Sequence, residues 1–167
     1  MEDCIRQNGL LHELPELDKI YVVNVNNVHW IVLTNIDPQN REPNDCFYNF
    51  DNNQWCQQNW YVYDSLNNPN NCQATSSILR LIYPERKGIK VHLVNVEPQV
   101  GQNDCGLFAI SYAQVLSYGR DPYNYRFNQS KMRETYNFFI NYDSFPTFEF
   151  FEISNKSKIL NEIVVNF

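Results

Sequence analysis

The chemistry-bearing residues of this chain are few. Cys105 lies in the stretch GQNDCG, Gly101 to Gly106, at the point where a loop should turn into a helix. At a helix start the unpaired backbone N–H groups and the helix dipole favour a thiolate. The same N–H groups can hold the oxyanion that forms during acyl transfer. A thiol nucleophile also needs a base to take its proton and a third group to orient that base. The chain offers His29 and Asp64 for these tasks, in the order His, Asp, Cys. Taken singly, each has an ordinary structural explanation: buried cysteines are common, strand histidines sit at core edges, and Asp-Ser after a strand is turn chemistry.

Those residues must be positioned by the elements around them, and the pattern supplies them. Tyr21, Val23 and Val25 alternate with polar neighbours, Asn26-Asn27 is a two-residue turn signal, and Val28 to Asn35 is again β-branched and aromatic. This predicts a β-hairpin with His29 near the start of its second strand. Trp60 to Tyr63 reads as the next strand, ending at Asp64-Ser65. Ala74, Ile78, Leu81 and Ile82 recur at helical spacing until Pro84, and Ile89 to Val96 alternates as a strand. From Asp104 to Tyr118 apolar residues surround almost the whole circumference, which marks a helix buried on most sides. Gly119 ends it. Gln129 to Tyr142 is a second amphipathic helix, with Met132, Tyr136 and Phe139 to Ile140 toward the core. Phe145 to Phe167 has no clear period and is expected to be strand or loop.

Length and composition fit one catalytic domain over residues 1–167, with 1–18 as a lead-in of at most one helical turn and 37–59 as a long inserted loop. Hydrophobic residues make up 43% and aromatics 15%, enough to close a core. Thirteen Lys and Arg against nineteen Asp and Glu leave a net charge of −6, which disfavours a phosphate backbone as partner. No apolar run approaches the roughly 20 residues that cross a bilayer, and no leader is evident at Met1 to Leu11. Five cysteines, Cys4, Cys46, Cys56, Cys72 and Cys105, at irregular spacings fit reduced thiols, so cytoplasm or nucleus is expected. Cys46 and Cys56 lack companions for a four-ligand metal site, and no cofactor is expected.

The contexts together, HW inside a strand, YDSL ending the next and PQVGQNDCG opening a helix, resemble the ubiquitin-like-protein proteases, the SUMO-protease and adenovirus-protease superfamily of cysteine peptidases. The resemblance runs from about His29 to Arg133, and DCGLFAISYAQVLSYGRDPYNYRFNQSKMR is most similar to metazoan copies associated with mobile elements. It implies an α+β cysteine-protease fold, a small, mostly antiparallel sheet packed against the helix bearing the nucleophile. It assigns Cys105 as nucleophile, His29 as general base, Asp64 as orienter and Gln99 as oxyanion donor, with Gln102 as the competing glutamine.

The activity implied is hydrolysis of peptide or isopeptide bonds after small, Gly-Gly-like residues through an acyl-thioester, in a deconjugase of ubiquitin-like modifiers. The partner is then a protein substrate, with no nucleic acid, no membrane and a monomeric enzyme. A polyprotein-processing protease of a virus or mobile element is the other reading in the same chemistry; intact Cys105, His29, Asp64 and Gln99 argue against a catalytically weak ubiquitin-like-binding module, and the scarcity of basic residues argues against acetyl transfer through the same thioester. Two departures stand out. The His29 to Asp64 interval is 35 residues, longer than the usual hairpin, with the excess in Asp37 to Asn59. Only about 18 residues precede the first strand, where family members generally carry substrate-binding helices, so a minimal or truncated copy is expected.

Asp104 should cap the free N–H groups of its helix. Trp30, on the strand face opposite His29, should pack beneath the site. Gly106 should permit close backbone approach. His12 and His92 should be surface or core-edge residues.

Overall fold

The computed structural model describes residues 18–37, 48–49, 54–55, 59–84, 89–142, 147–153 and 161–164. Nearly all of the 1–18 lead-in, His12 and most of the 37–59 loop lie outside the described residues. The hairpin forms as β1 (Ile20–Val25) and β2 (His29–Thr34), paired antiparallel with Val25 opposite His29. Asn26 and Asn27 both take positive φ, 55° and 58°, a conformation that Asn tolerates and that matches the strand twist. The register leaves three residues in the turn instead of the expected two. Val28, read as strand from its β-branched side chain, belongs to the turn: its N–H donates to the Val25 carbonyl and it is 78% exposed.

Within the long loop, β3 (Tyr48–Asn49) pairs antiparallel with β4 (Gln54–Trp55). Then β5 (Asn59–Tyr63) pairs antiparallel with β2, and its other edge pairs parallel with β6 (Lys90–Val94). A parallel neighbour requires a crossover connection, and helix α1 (Asn71–Ile82) supplies it. The main sheet has the order β1-β2-β5-β6-β9, where β9 (Asn161–Val164) adds an antiparallel outer strand. Three of its four pairings are antiparallel, so the fold is α+β with a small mixed sheet.

Each face of this sheet holds its own core. On one face Val25, Ile31, Leu33, Trp60 and Val62 meet Cys72 and Leu79 of α1. The buried stripe of α1 is Cys72, Thr75, Ser76, Leu79 and Ile82, rotated from the expected Ala74-Ile78-Leu81-Ile82 stripe; Leu81 is exposed. Thr75 and Ser76 can be buried because their hydroxyls donate to the carbonyls one turn back, Asn71 at 2.9 Å and Cys72 at 2.8 Å.

On the other face lies α2 (Cys105–Ser117), with Phe108, Tyr112 and Val115 among Val32, Tyr63 and Val94. Its all-round apolar sequence is matched by burial on most sides, and Gly119 at φ 68° follows its end. A single 3-10 turn (Pro122–Asn124) leads into β7 (Tyr125–Phe127), which pairs with β8 (Phe150–Glu152). Between these two strands runs α3 (Gln129–Tyr142). Only Met132 of α3 is fully buried. Ile140, expected inward, is 60% exposed, because α3 rests on its neighbours by one edge only.

Candidate active site

His29 opens β2 and Asp64 follows directly on β5, so antiparallel pairing of β2 with β5 brings two residues 35 apart in sequence to the same end of the sheet. Strand alternation puts both on the α1 face, with Ile31 and Val62. The His29 Nε2 lies 2.6 Å from Asp64 Oδ1, and both side chains are buried.

The Asp64 carboxylate is fully enclosed and accepts three further hydrogen bonds. Leu66 N–H reaches Oδ1 at 2.8 Å, while Asn68 N–H at 3.1 Å and Asn71 Nδ2 at 2.7 Å reach Oδ2. Enclosing a carboxylate is costly unless its lone pairs are met, and here they are. With Leu66, Asn68 and Asn71 donating to its two oxygens, Asp64 is the acceptor, and His29 Nε2 is the donor in this pair. Asn71, the first residue of α1, therefore belongs to the candidate site.

Cys105 is the first residue of α2 and is 6% exposed. The helix lies across β2 such that Gly106 meets the Trp30 indole. A Cβ built on Gly106 would stand 3.5 Å from Trp30 Cδ1, an ordinary contact distance, so the close approach is to this ring and not to main chain. Trp30 does point away from His29, but that opposite face is the one α2 covers. It is not buried beneath the site: at 41% exposure it walls a cavity of about 570 Å³ together with Cys105, Gly106, Gln102, Leu107 and Tyr136.

Asp104 makes no side-chain cap. Its carboxylate turns instead to α3, accepting from Gln129 Nε2 at 2.6 Å and from the Arg133 guanidinium, because a helix that starts against α3 finds better donors there than its own N–H groups.

The two glutamines separate clearly. Gln102 is exposed in the cavity wall, whereas Gln99 is buried. Gln99 N–H donates to the Ser65 carbonyl at 2.8 Å, its Oε1 accepts from Ser65 Oγ at 2.6 Å, and its Nε2 donates to the Gly101 carbonyl at 2.8 Å. A parallel seam joins Asn67 to Val96, with Asn67 Nδ2 donating to the Val96 carbonyl and Val96 N–H donating to Asn67 Oδ1. The turn after β5 and the loop before α2 are thus bound together along their length.

Cys72 and Cys105 are both free thiols, with different surroundings. Burial pushes the Cys72 thiol up from its ordinary value, and the nearby charge of Asp64 pushes in the same direction. His92 sits at a core edge, its ring stacked on Tyr61 and its Nε2 3.2 Å from Asn59 Oδ1. Among the described residues no cluster of three or more His, Cys, Asp or Glu could hold a metal ion, and no helix is long and apolar enough to cross a membrane.

A sequence model of the C-terminal catalytic domain of the Ulp1 protease family matches residues 1–141. The chain belongs to the Ulp1 protease family. It is a cysteine-type peptidase related to those that act on ubiquitin-like proteins, and its substrates are proteins. Neither a curated protein nor a solved structure matched. The family match rests on the sequence pattern, and the His29–Asp64 pair is a distance between side chains in the folded chain.

Proposed function

We propose that this Ulp1-family peptidase cleaves peptide or isopeptide bonds after Gly-Gly-like tails of ubiquitin-like modifiers, with Cys105, His29, Asp64 and Gln99 as its working residues. The single observation that carries the reading is the enclosed His29–Asp64 pair, 2.6 Å apart, in a chain whose Cys105 opens a buried helix. Asp64 holds the ring by Nε2, so Nδ1 is the nitrogen that takes the thiol proton. The Cys105 thiolate adds to the carbonyl carbon, and the oxygen becomes an oxyanion facing the α2 N–H groups and Gln99 Nε2. Collapse breaks the C–N bond, His29 passes its proton to the leaving amine, and an acyl-thioester remains. A water, losing a proton to His29, then releases the acid and restores the thiol. No cofactor enters this sequence.

Family membership supports a ubiquitin-like substrate, and the indole of Trp30 beside Cys105 and Gly106 supports small residues before the cut bond. Net charge −6 agrees with a protein partner over a nucleic acid. The enzyme is taken to act as a monomer, away from membranes, in cytoplasm or nucleus. Incubation with ubiquitin and SUMO tails carrying a C-terminal electrophile is expected to give a covalent adduct on Cys105, located by peptide mass spectrometry. Matching tails with Leu or Phe at the last two positions are expected to react far more slowly. Equal capture of both sets defeats the Gly-Gly assignment, and adducts on Cys72 in place of Cys105 defeat the nucleophile assignment.

A further inference from the structure

Ser65 follows Asp64 and is buried, with its hydroxyl on the Gln99 amide oxygen at 2.6 Å. The Gly101 carbonyl, which can only accept, fixes the other end of that amide: Nε2 must face it, so Oε1 must face Ser65 and the hydroxyl must donate. Gly101 stands at φ +78° with open space around it, a backbone shape that turns its carbonyl back toward Gln99. One of the two Nε2 hydrogens is spent on Gly101 and the second remains for an oxyanion. An amide held at both ends has a defined plane; held only at Gly101, it can swing about that one bond.

We propose that Ser65 is a positioning residue that sets the plane of the Gln99 amide, so that the dipeptide Asp64-Ser65 supports both the base and the oxyanion donor. The inference rests on the proposed role of Gln99. The pairing is not incidental to a turn, because Ser65 engages Gln99 twice, through its carbonyl and through its hydroxyl, across 34 residues of sequence.

The test uses the full chain with a peptidyl-Gly-Gly aminomethylcoumarin amide and p-nitrophenyl acetate, both of which pass through an oxyanion, and with iodoacetamide, which is displaced at a saturated carbon and forms none. Ser65→Ala is expected to lower kcat about tenfold with KM little changed, less than the ~10²-fold expected for Gln99→Ala. It should leave the iodoacetamide rate at Cys105 and its pH profile as in the parent. Ser65→Thr, which keeps the hydroxyl, should recover most of the rate. In the Gln99→Ala background, Ser65→Ala should cost nothing more.

A full loss in that background, or a parallel fall in alkylation, shows a merely structural role and overturns the proposal. Unchanged kcat in Ser65→Ala, with Gln99→Ala impaired, overturns it while leaving the role of Gln99 intact. Unchanged kcat in Gln99→Ala overturns both. Turnover of the ester without the Gly-Gly amide defeats the substrate assignment and still reads Ser65.

Discussion

The Asp64 turn and the Gln99 to Asp104 loop both carry residues proposed to work on the substrate, yet they are held by opposite means. Asp64 is locked from within: four hydrogen bonds, two of them from main-chain N–H groups of its own turn, enclose a carboxylate with no exposure. Gly101, Gln102 and Asn103 are exposed, and their loop is clasped from outside by α3. There Gln129 accepts from Val100 N–H at 2.8 Å and donates to both the Val100 carbonyl and Asp104, and Arg133 completes the clasp on Asp104. The difference follows from the tasks. An orienting carboxylate gains from exclusion of water, which strengthens its hold on the imidazole. The loop before Cys105, the proposed nucleophile, borders the cavity, and its support comes from α3 behind it.

The largest effect is expected at Asp64. Asp64→Asn offers one acceptor oxygen to four donors and removes the charge that holds His29, and kcat/KM is expected to fall on the order of 10³ to 10⁴-fold. Kinetics on a Gly-Gly amide reads this, and a loss under tenfold shows that the enclosed carboxylate does not orient the base. On the loop side, Gln99→Ala is expected to cost ~10²-fold in kcat while Gln102→Ala costs little. The reverse ranking moves the oxyanion contact to the exposed loop.

Asn71→Ala loosens the enclosure of Asp64 without touching a reacting group. It leaves Asp64 Oδ2 with one partner in a buried place, which should destabilise the fold by about 1–3 kcal/mol and lower kcat with KM little changed. Denaturant unfolding alongside kinetics checks it, and an unaltered midpoint shows that water replaces the amide. Arg133→Ala, by contrast, removes a surface partner, since Arg133 is 65% exposed, and should cost no more than about 1 kcal/mol. A larger loss shows that the outer clasp is as essential as the inner lock.

The gentlest contrast is with alkali. Burial pushes the Cys72 thiol and the Tyr63 and Tyr112 phenols up, the last two well above their ordinary range, with Asp121 adding to the effect at Tyr63, where it accepts the phenol hydrogen at 3.0 Å. The folded state keeps protons that the unfolded chain releases, so this contribution to stability is complete below the ordinary values of 9.0 for the thiol and 10.0 for the phenols. It declines as pH rises beyond them toward the raised folded values. Melting midpoints followed to about pH 11 should fall above about pH 9, and Cys72→Ala should delay the onset. A flat profile refutes the assignment.

What was legible in the sequence is what depends on local pattern. The α2 helix announced itself by apolar residues on every side, the hairpin by its Asn pair, and Cys105, His29 and Asp64 by their places at a helix start, near a strand start and at a strand end. Periodicity and turn chemistry are set by neighbours along the chain, so they survive in the sequence alone. Partnership across space does not. Asn71, Ser65 and the outer clasp from Gln129 and Arg133 are polar residues in unremarkable turns and surfaces, and each acquires its role from a segment brought alongside by sheet register or helix placement. The same reason explains the misplaced Trp30 and the rotated stripe of α1. Strand alternation tells that Trp30 opposes His29, but only the docking of α2 decides which face is the cleft; likewise Thr75 and Ser76 become core residues only once their hydroxyls find carbonyls within the helix and the sheet covers them.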